Sequence, residues 1–162
     1  MGWHAPPERL ELDNPLWMMA LELWAYPAFE EACLRAQDGG VCVSHILVAL
    51  CSTQHGYYWN GKEPEPIRNW RTGVTEPLRA MRQNLPRDGT GTSALRTRLK
   101  QSELEAERLE LAWWWNVLAG SKDGFSVNRM PSQGLAMSNL QNAGISEPQA
   151  LAELWLSLSP QN

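Results

Sequence analysis

Apolar residues recur along the chain at the spacing of helices, and prolines and glycines separate the apolar stretches. Asn14 followed by Pro15 is typical of a helix start, because an asparagine side chain caps free backbone amides and proline fits the first turn. Gly39 and Gly40 are typical of a helix end. The pattern predicts an all-α protein of six to eight helices. These helices are expected at about residues 14–26, 27–38, 41–55, 66–85, 93–119, 132–143 and 146–158.

The length of the chain favours one domain. A chain of 162 residues can bury roughly 70% of its unfolded surface, so its core needs no metal or disulfide support. The polar segment at 86–92 is too short to separate two domains. We therefore expect an N-terminal extension at residues 1–13 and a single compact helical domain at 14–162, built around the long helix at about 93–119.

The segment at about 66–85 separates into two faces when its residues are placed at 100° intervals, the angle per residue of an α-helix. The basic face consists of Arg68, Arg71, Arg79 and Arg82. The apolar face, roughly opposite, includes Trp70, Val74, Leu78 and Met81. We expect the apolar face to pack on the core and the basic face to lie on the solvent side. Pro77 removes a backbone donor and predicts a kink or break near 73–75.

Charge is distributed unevenly along the chain, whose formal net charge is −4. Residues 66–100 contain eight basic and two acidic residues, which gives +6 there and −10 on the remainder. A basic surface of this kind fits an acidic partner or a nucleic-acid backbone. We favour the alternative that the basic face is solvated or pairs with the long helix, because charged helix faces usually do one or the other. The carboxylates available for such pairing are Glu103, Glu107 and Glu110.

The chain has nine tryptophans, and three of them are consecutive at 113–115. Because three consecutive residues span about 200° of a helix, one core-facing side cannot cover them all. Trp113 and Trp115 lie on two apolar stripes, whereas Trp114 lies between Glu107 and Glu110 in angle. We expect Trp114 to be the most exposed of the three and a candidate contact for a partner. The alternative, which we weigh almost equally, is that tryptophans fill a large helical core.

Histidine and cysteine form no catalytic or metal-binding pattern. Cys42 and His45 could supply two ligands from one helix face, but a structural zinc site needs four. Cys51 and His55 are four residues apart, yet Cys51 lies in an apolar stretch where burial makes a thiol inert. We therefore expect no catalytic residue, no metal and no cofactor.

The same sequence features predict the compartment. The three cysteines suit unbridged thiols in a reducing environment. The first residues do not have the pattern of a secretory signal, and the most apolar stretch is shorter than the about 20 residues of a membrane-spanning helix. We expect a soluble cytoplasmic protein without a membrane partner.

Several stretches of the chain form a recognisable set: Leu21-Glu22-Leu23-Trp24-Ala25-Tyr26-Pro27, Ala32-Cys33-Leu34, Gln37-Asp38-Gly39-Gly40, and the segments at 74–82 and 95–107. Together they resemble a small proteobacterial family of similar length, family 2390, whose function is unknown. The chain departs from the family pattern at Ser44-His45 and in its tryptophan content. The resemblance implies a helical bacterial cytoplasmic protein and implies no activity, ligand or catalytic residue.

Three functions remain open from the sequence. The leading hypothesis is a non-enzymatic interaction or regulatory protein that binds another macromolecule, expected to be a protein, through the basic face or Trp114; a homo-oligomer is compatible with it. The second is an enzyme or small-ligand-binding domain with an aromatic pocket. That pocket would be lined by His55, Tyr57, Tyr58, Trp59 and Trp70. The third is an RNA- or ribosome-associated factor that uses the basic face, which the acidic net charge disfavours.

Overall fold

The structure of the protein is a computed structural model that describes residues 5–88, 91–120 and 131–159. Regular secondary structure within these residues is entirely helical, without a strand. The elements are α1 (Pro15–Trp24), α2 (Pro27–Asp38), α3 (Val43–Gln54), α4 (Glu65–Trp70), a π-helical turn (Arg71–Thr75), α5 (Glu76–Asn84), α6 (Ser93–Gly120), α7 (Gln133–Asn142) and α8 (Gln149–Leu158). The predicted all-α class and the long helix near 93–119 are confirmed.

Local sequence signals set the ends of several helices. At the start of α1, Asn14 Oδ1 accepts a hydrogen bond from the Trp17 backbone amide at 2.9 Å. At the start of α7, Ser132 Oγ accepts one from the Leu135 amide at 3.1 Å. Beyond the end of α2, Gly40 has a φ of +94°, a conformation that residues with a Cβ atom rarely adopt. These signals explain why the predicted helix positions agree closely with the observed ones.

The π-helical turn joins α4 to α5 without a break in the helical backbone. Proline lacks an amide hydrogen, and its ring clashes with the carbonyl four residues before it, which for Pro77 is that of Gly73. A wider turn at Arg71–Thr75 relieves this clash, in the way that single π-helical turns interrupt other α-helices. Where a kink or break was predicted, near 73–75, the structure has this π-helical turn, and the helical backbone is not broken there.

The chain divides into two compact units. Unit 1 comprises Met1–Leu12 and Glu63–Asn116, and unit 2 comprises Asp13–Lys62 and Val117–Asn162. Residues 1–4 of the predicted N-terminal extension and residues 89 and 90 of the predicted linker lie outside the described residues. The single domain predicted over 14–162 remains a prediction, because two compact units can belong to one domain.

Unit 2 is organised around α3. Eight consecutive residues of this helix, Ile46 to Thr53, are buried. The helix contacts α1, α2 and α7, so it is covered on several sides, as a helix that is apolar nearly all round requires. In unit 1, polar contacts connect α5 with α6, and the candidate site is built on this pair of helices.

Candidate functional site

Three arginines of the predicted basic face are largely buried, and the predicted apolar face is only partly covered. The side chains of Arg71, Arg79 and Arg82 are only 11%, 25% and 14% exposed. Met81, in contrast, is 50% exposed, and no residue of α5 is fully buried. The expected solvent-facing side is therefore wrong for these three arginines, and the expected core position is wrong for Met81. Arg68 does lie on the surface, with a side chain that is 56% exposed.

Ion pairs explain why the arginines of α5 point inward. Arg79 Nε donates to Glu103 Oε1 at 2.9 Å, and Arg82 Nε donates to Glu103 Oε2 at 2.6 Å. Arg79 also reaches Glu107 through Nη2 at 2.7 Å. Two guanidinium groups thus face two carboxylates, so the cluster is neutral. Pairing of the basic face with the long helix, which the sequence analysis favoured, is confirmed.

A second cluster lies at the π-helical turn. Arg71 Nη2 donates to Glu63 Oε2 at 2.8 Å, and Arg71 Nη1 donates to Glu110 Oε2 at 3.2 Å. Glu110 is 2% exposed, so its charge is compensated inside the protein. Since Arg71 pairs with residue 110 and Arg82 with residue 103, α5 and α6 run antiparallel. A buried carboxylate of this kind is tolerated because it has a charged partner with good hydrogen-bond geometry.

The Arg79–Arg82–Glu103 cluster shifts the acid–base properties of its members. Burial alone raises the pKa of Glu103, but hydrogen bonds and charges from Arg82 and Arg79 outweigh burial and hold this pKa below its usual value. Burial lowers the pKa of Arg79, and the hydrogen bonds and charges of Glu103 and Glu107 outweigh it and raise this pKa. Both shifts favour the charged forms of Glu103 and Arg79. For Glu107, burial outweighs the charge and hydrogen bond of Arg79 and raises the pKa.

The apolar face of α5 and the π-helical turn remains only partly covered. Val74, Leu78 and Leu85 are half-buried, and Met81 between them is exposed. Leu78 and Met81 share one side of α5, because they are three residues apart. Val74 precedes them in the π-helical turn, and Leu85 follows directly after the end of α5. On α6, Leu95 and Leu104 are also about half exposed.

A basic groove of about 570 Å³ lies between the C-terminal end of α5 and the first turns of α6. It is lined by Arg82, Arg87, Ser93, Arg96, Thr97, Lys100 and Gln101, so none of the described lining residues is acidic. Arg96 Nη1 donates to the carbonyl oxygens of Arg82 at 2.8 Å and Leu85 at 3.1 Å, and thereby satisfies the end of α5. These charges belong to the basic segment at 66–100, but their grouping into one groove was not predicted. The available signal was the spacing of Arg96 and Lys100, which places both on one side of a helix.

The exposure expected for the tryptophan run is also wrong. Trp114 is 1% exposed and Trp113 is 8% exposed, while Trp115 is half-buried and therefore the most exposed of the three. Trp114 lies on the same stripe as Glu107 and Glu110, and that stripe faces inward because its carboxylates are paired. Trp114 is thus not placed to contact a partner, which agrees with the alternative that tryptophan fills the core.

The aromatic residues near position 57 belong to a loop of unit 2 that α7 holds in place. Asn139 Oδ1 accepts from the Trp59 amide at 2.8 Å, and Asn139 Nδ2 donates to the Tyr57 carbonyl at 2.9 Å. Trp59 is buried and its ring lies 5.7 Å from that of His45, whereas Tyr58 is half exposed. These contacts hold the loop against α7 and α3, so they are structural.

The other two residues of the predicted aromatic pocket have separate contacts. His55 Nδ1 lies 2.9 Å from the Cys51 carbonyl oxygen, close to the end of α3. Trp70 belongs to unit 1, where its Nε1 donates to the Ala106 carbonyl at 3.0 Å. Its role there is to connect α4 to α6.

The cysteines have the properties of structural residues. All three are free, and burial raises the pKa of Cys33 and Cys51 to about 12. The Sγ atom of Cys51 lies 3.9 Å from His55 Nδ1, but a thiol with this pKa is not ionised at neutral pH. Within residues 5–88, 91–120 and 131–159, no three His, Cys, Asp or Glu side chains are grouped to hold a metal ion. Over the same residues, no helix is long and apolar enough to cross a membrane.

Comparison with known proteins places the chain in a family. Residues 15–113 match the model of a family of proteins of unknown function, DUF2390, and the chain belongs to this family. The resemblance seen in the sequence is thereby confirmed. The matched segment contains α1 to α5 and most of α6, including both ion-pair clusters and the basic groove. No curated protein and no solved structure matches the chain.

Proposed function

We propose that this protein is a non-enzymatic interaction protein whose unit 1 binds an acidic, amphipathic segment of another protein. The observation that carries the proposal is the partly exposed apolar face of α5 and the π-helical turn. Its residues are Val74, Leu78, Met81 and Leu85. Exposed apolar side chains that are flanked by polar ones are typical of surfaces that another protein covers.

The spacing of this face suits a helical partner. Positions 74, 78, 81 and 85 follow one another along about three turns, and an apolar surface of this kind is recognised by an amphipathic helix that lays its own apolar side along it. Binding would cover Met81, which is 50% exposed in the free chain.

The charge near the end of α5 specifies the partner further. The apolar face ends at Leu85, next to the basic groove of Arg87, Arg96 and Lys100. Acidic residues at one end of the partner would be attracted to this groove and would fix the direction of the bound helix. Arg79 and Arg82 already bind carboxylates, so a nucleic-acid backbone would have to compete with two internal ion pairs.

The chemistry of the described residues supports binding rather than catalysis. The candidate nucleophile Cys51 is buried, with a pKa of about 12, and the neighbouring His55 is placed against a backbone carbonyl. The polar clusters of unit 1 are ion pairs that connect its structural elements. Each of these groups already has a structural role.

A fluorescent peptide of designed sequence tests the proposal. The peptide has leucines at helical i, i+3 and i+4 spacing and glutamates elsewhere, and a matched peptide carries lysines in place of the glutamates. We expect the full chain to bind the acidic peptide and to bind the basic one at least about tenfold more weakly, which corresponds to about 1.4 kcal/mol. Met81→Asp should weaken binding of the acidic peptide by a similar factor, since it removes an apolar contact and adds repulsion.

Gln83→Asp is the matched control, because Gln83 is exposed on α5, lies away from the apolar face and acquires the same charge. Equal losses for Met81→Asp and Gln83→Asp would contradict the proposal. So would equal affinity for the two peptides, absence of binding to the acidic peptide at millimolar concentration, or tighter binding of a single-stranded RNA. Dimerisation of the free chain that Met81→Asp abolishes would identify a second copy as the occupant and would also overturn it.

A further inference from the structure

The basic groove supports a separate inference, because three of its cations form no salt bridge within the described part of the chain. Among them, Lys100 lies close enough to Glu107 for its charge to lower the pKa of that carboxyl, against the effect of burial. The charge of Arg82 is compensated by Glu103, as described above. Arg87, Arg96 and Lys100 form no salt bridge with any carboxylate of the described residues. Like charges that line a common groove repel one another, so an anionic ligand would relieve this repulsion.

The groove is also partly preorganised. The guanidinium of Arg96 is held in place by the carbonyl oxygens of Arg82 and Leu85, which fix Nη1. Because a guanidinium group has five N–H donors, this side chain keeps others for a ligand. Ser93 and Thr97 add hydroxyl groups, and Gln101 adds a side-chain amide on the same side of α6. The lining thus consists of groups that can donate hydrogen bonds.

These properties match phosphate better than a carboxylate. A phosphomonoester carries a charge of about −1.5 to −2 and three strong acceptor oxygens, so it can use several cations and hydroxyls at once. Guanidinium groups fit phosphate oxygens in a bidentate manner. None of the described lining residues is aromatic, so the groove has no platform on which a nucleobase could stack. We propose that the groove is a binding site for a phosphomonoester, seated on Arg87, Arg96 and Lys100.

The phosphate site occupies the groove to which the acidic end of the proposed partner helix would also be attracted, so the two anions would compete there. The site does not need the apolar face of α5, so it can exist whether or not that face binds a helix. Two sources could supply the phosphomonoester, namely a small phosphorylated molecule or a phosphorylated side chain of another protein. Both have the same chemistry at the groove, and the test below distinguishes them.

The test is an NMR titration of the full chain, labelled with nitrogen-15, with inorganic phosphate at constant ionic strength set by chloride. We expect saturable shifts of backbone amides at 93–101. Arg87→Gln and Lys100→Gln should each weaken phosphate binding by about fivefold or more, because each removes one charge from the seat. Arg98→Gln is the matched control and should leave binding within about twofold, since Arg98 lies on α6 outside the groove lining and is exposed.

A second arm uses a phosphoserine peptide and its unphosphorylated form. Tighter binding of the phosphopeptide than of free phosphate would assign the site to a phosphorylated protein, and equal binding would assign it to a small molecule. Binding of the phosphopeptide should also strengthen between about pH 5 and pH 7, as the phosphate acquires its second charge. Equal effects of Lys100→Gln and Arg98→Gln, shifts spread over the whole surface, or tighter binding of an RNA oligonucleotide would overturn the proposal.

Discussion

Glu103 connects α6 to two arginines of α5. Its two carboxylate oxygens accept hydrogen bonds from two arginines, and the residue is 5% exposed. From the sequence, Glu103 could be recognised as a possible arginine partner, but not as a buried residue, because unpaired carboxylates are costly to bury. The cost of burying Glu103 is offset because Arg79 and Arg82 of α5 donate hydrogen bonds to its carboxylate. This pairing depends on how α5 packs against α6, so the sequence of one helix alone does not reveal it.

Replacing Glu103 should therefore cost more stability than replacing an exposed carboxylate on the same helix. We expect Glu103→Gln to lower the free energy of unfolding by about 3 kcal/mol. The substitution removes the carboxylate that pairs with the partly buried guanidinium groups of Arg79 and Arg82. Glu105→Gln is the control, and its effect should stay within about 0.5 kcal/mol since Glu105 is exposed. Urea titrations of both variants measure the difference. Similar values for the two would show that the ion pairs do not stabilise the helix contact.

The lowered pKa of Glu103 gives a prediction for acid. Its pKa in the folded chain lies below that in the unfolded chain, so its contribution to stability is complete above the unfolded value of about 4.3 and is lost as pH falls through the folded value. The difference in unfolding free energy between the wild type and Glu103→Gln should therefore be constant from pH 7 to about pH 5 and shrink below about pH 4. Urea titrations at these pH values measure it. A difference that grows with acidity would have the wrong sign for a carboxylate stabilised in its charged form.

Trp114 allows a direct comparison of neighbouring residues. We expect Trp114→Ala to cost about 3–5 kcal/mol, because it removes a large side chain that is 1% exposed. Trp115→Ala should cost clearly less, since Trp115 is only half-buried. Chemical denaturation followed by circular dichroism compares the two. Equal losses of unfolding free energy would mean that the difference in burial between Trp114 and Trp115 does not determine their contributions to stability.

At the scale of the element, helix positions were predictable and the inward faces were not. Asn14, Ser132 and Pro77 act within one or two turns, so a sequence pattern is sufficient to locate the helix ends and the π-helical turn. Which face of a helix is buried depends on the residues of the neighbouring helix against which it packs. The segment from Arg71 to Leu85 has one apolar and one basic face, and the basic face turned inward because α6 supplies a matching row of carboxylates.

Met81 tests this orientation of α5. Met81→Asp should change the free energy of unfolding by less than about 1 kcal/mol, because its side chain is half exposed and the new charge remains hydrated. Ile67→Asp, four turns earlier on the same continuous helix, should prevent stable folding, because Ile67 is 0% exposed and the charge would be buried without a partner. Thermal unfolding of both variants provides the measurement. Strong destabilisation by Met81→Asp would show that Met81 is buried in the core, as expected from the sequence.

At the scale of the whole molecule, the sequence predicted the helical class and left the sites undefined. The basic groove combines side chains from α5, α6 and the segment between them, and the aromatic loop of unit 2 is fixed by an asparagine about 80 residues away. Contacts over such distances in sequence have no periodic signature. The family match does not locate these contacts either. It ends at residue 113, and α7 and α8 lie beyond that position.

This arrangement predicts that the family-matched segment is not sufficient for stable folding. Asn139 of α7 is fully buried and donates through Nδ2 to Thr53 Oγ1 at 3.0 Å, in addition to its contacts with the aromatic loop. A chain that ends at residue 120 loses α7, which packs on α3, and would expose apolar residues of α3 to water. We expect this shortened chain to lose cooperative thermal unfolding, whereas a chain that ends at residue 159 should unfold like the full one. Asn139→Ala in the full chain keeps the apolar contacts and removes the hydrogen bonds, so it should destabilise by about 1–3 kcal/mol. Cooperative unfolding of the chain ending at 120, with an unchanged midpoint, would show that α3 is stable without α7.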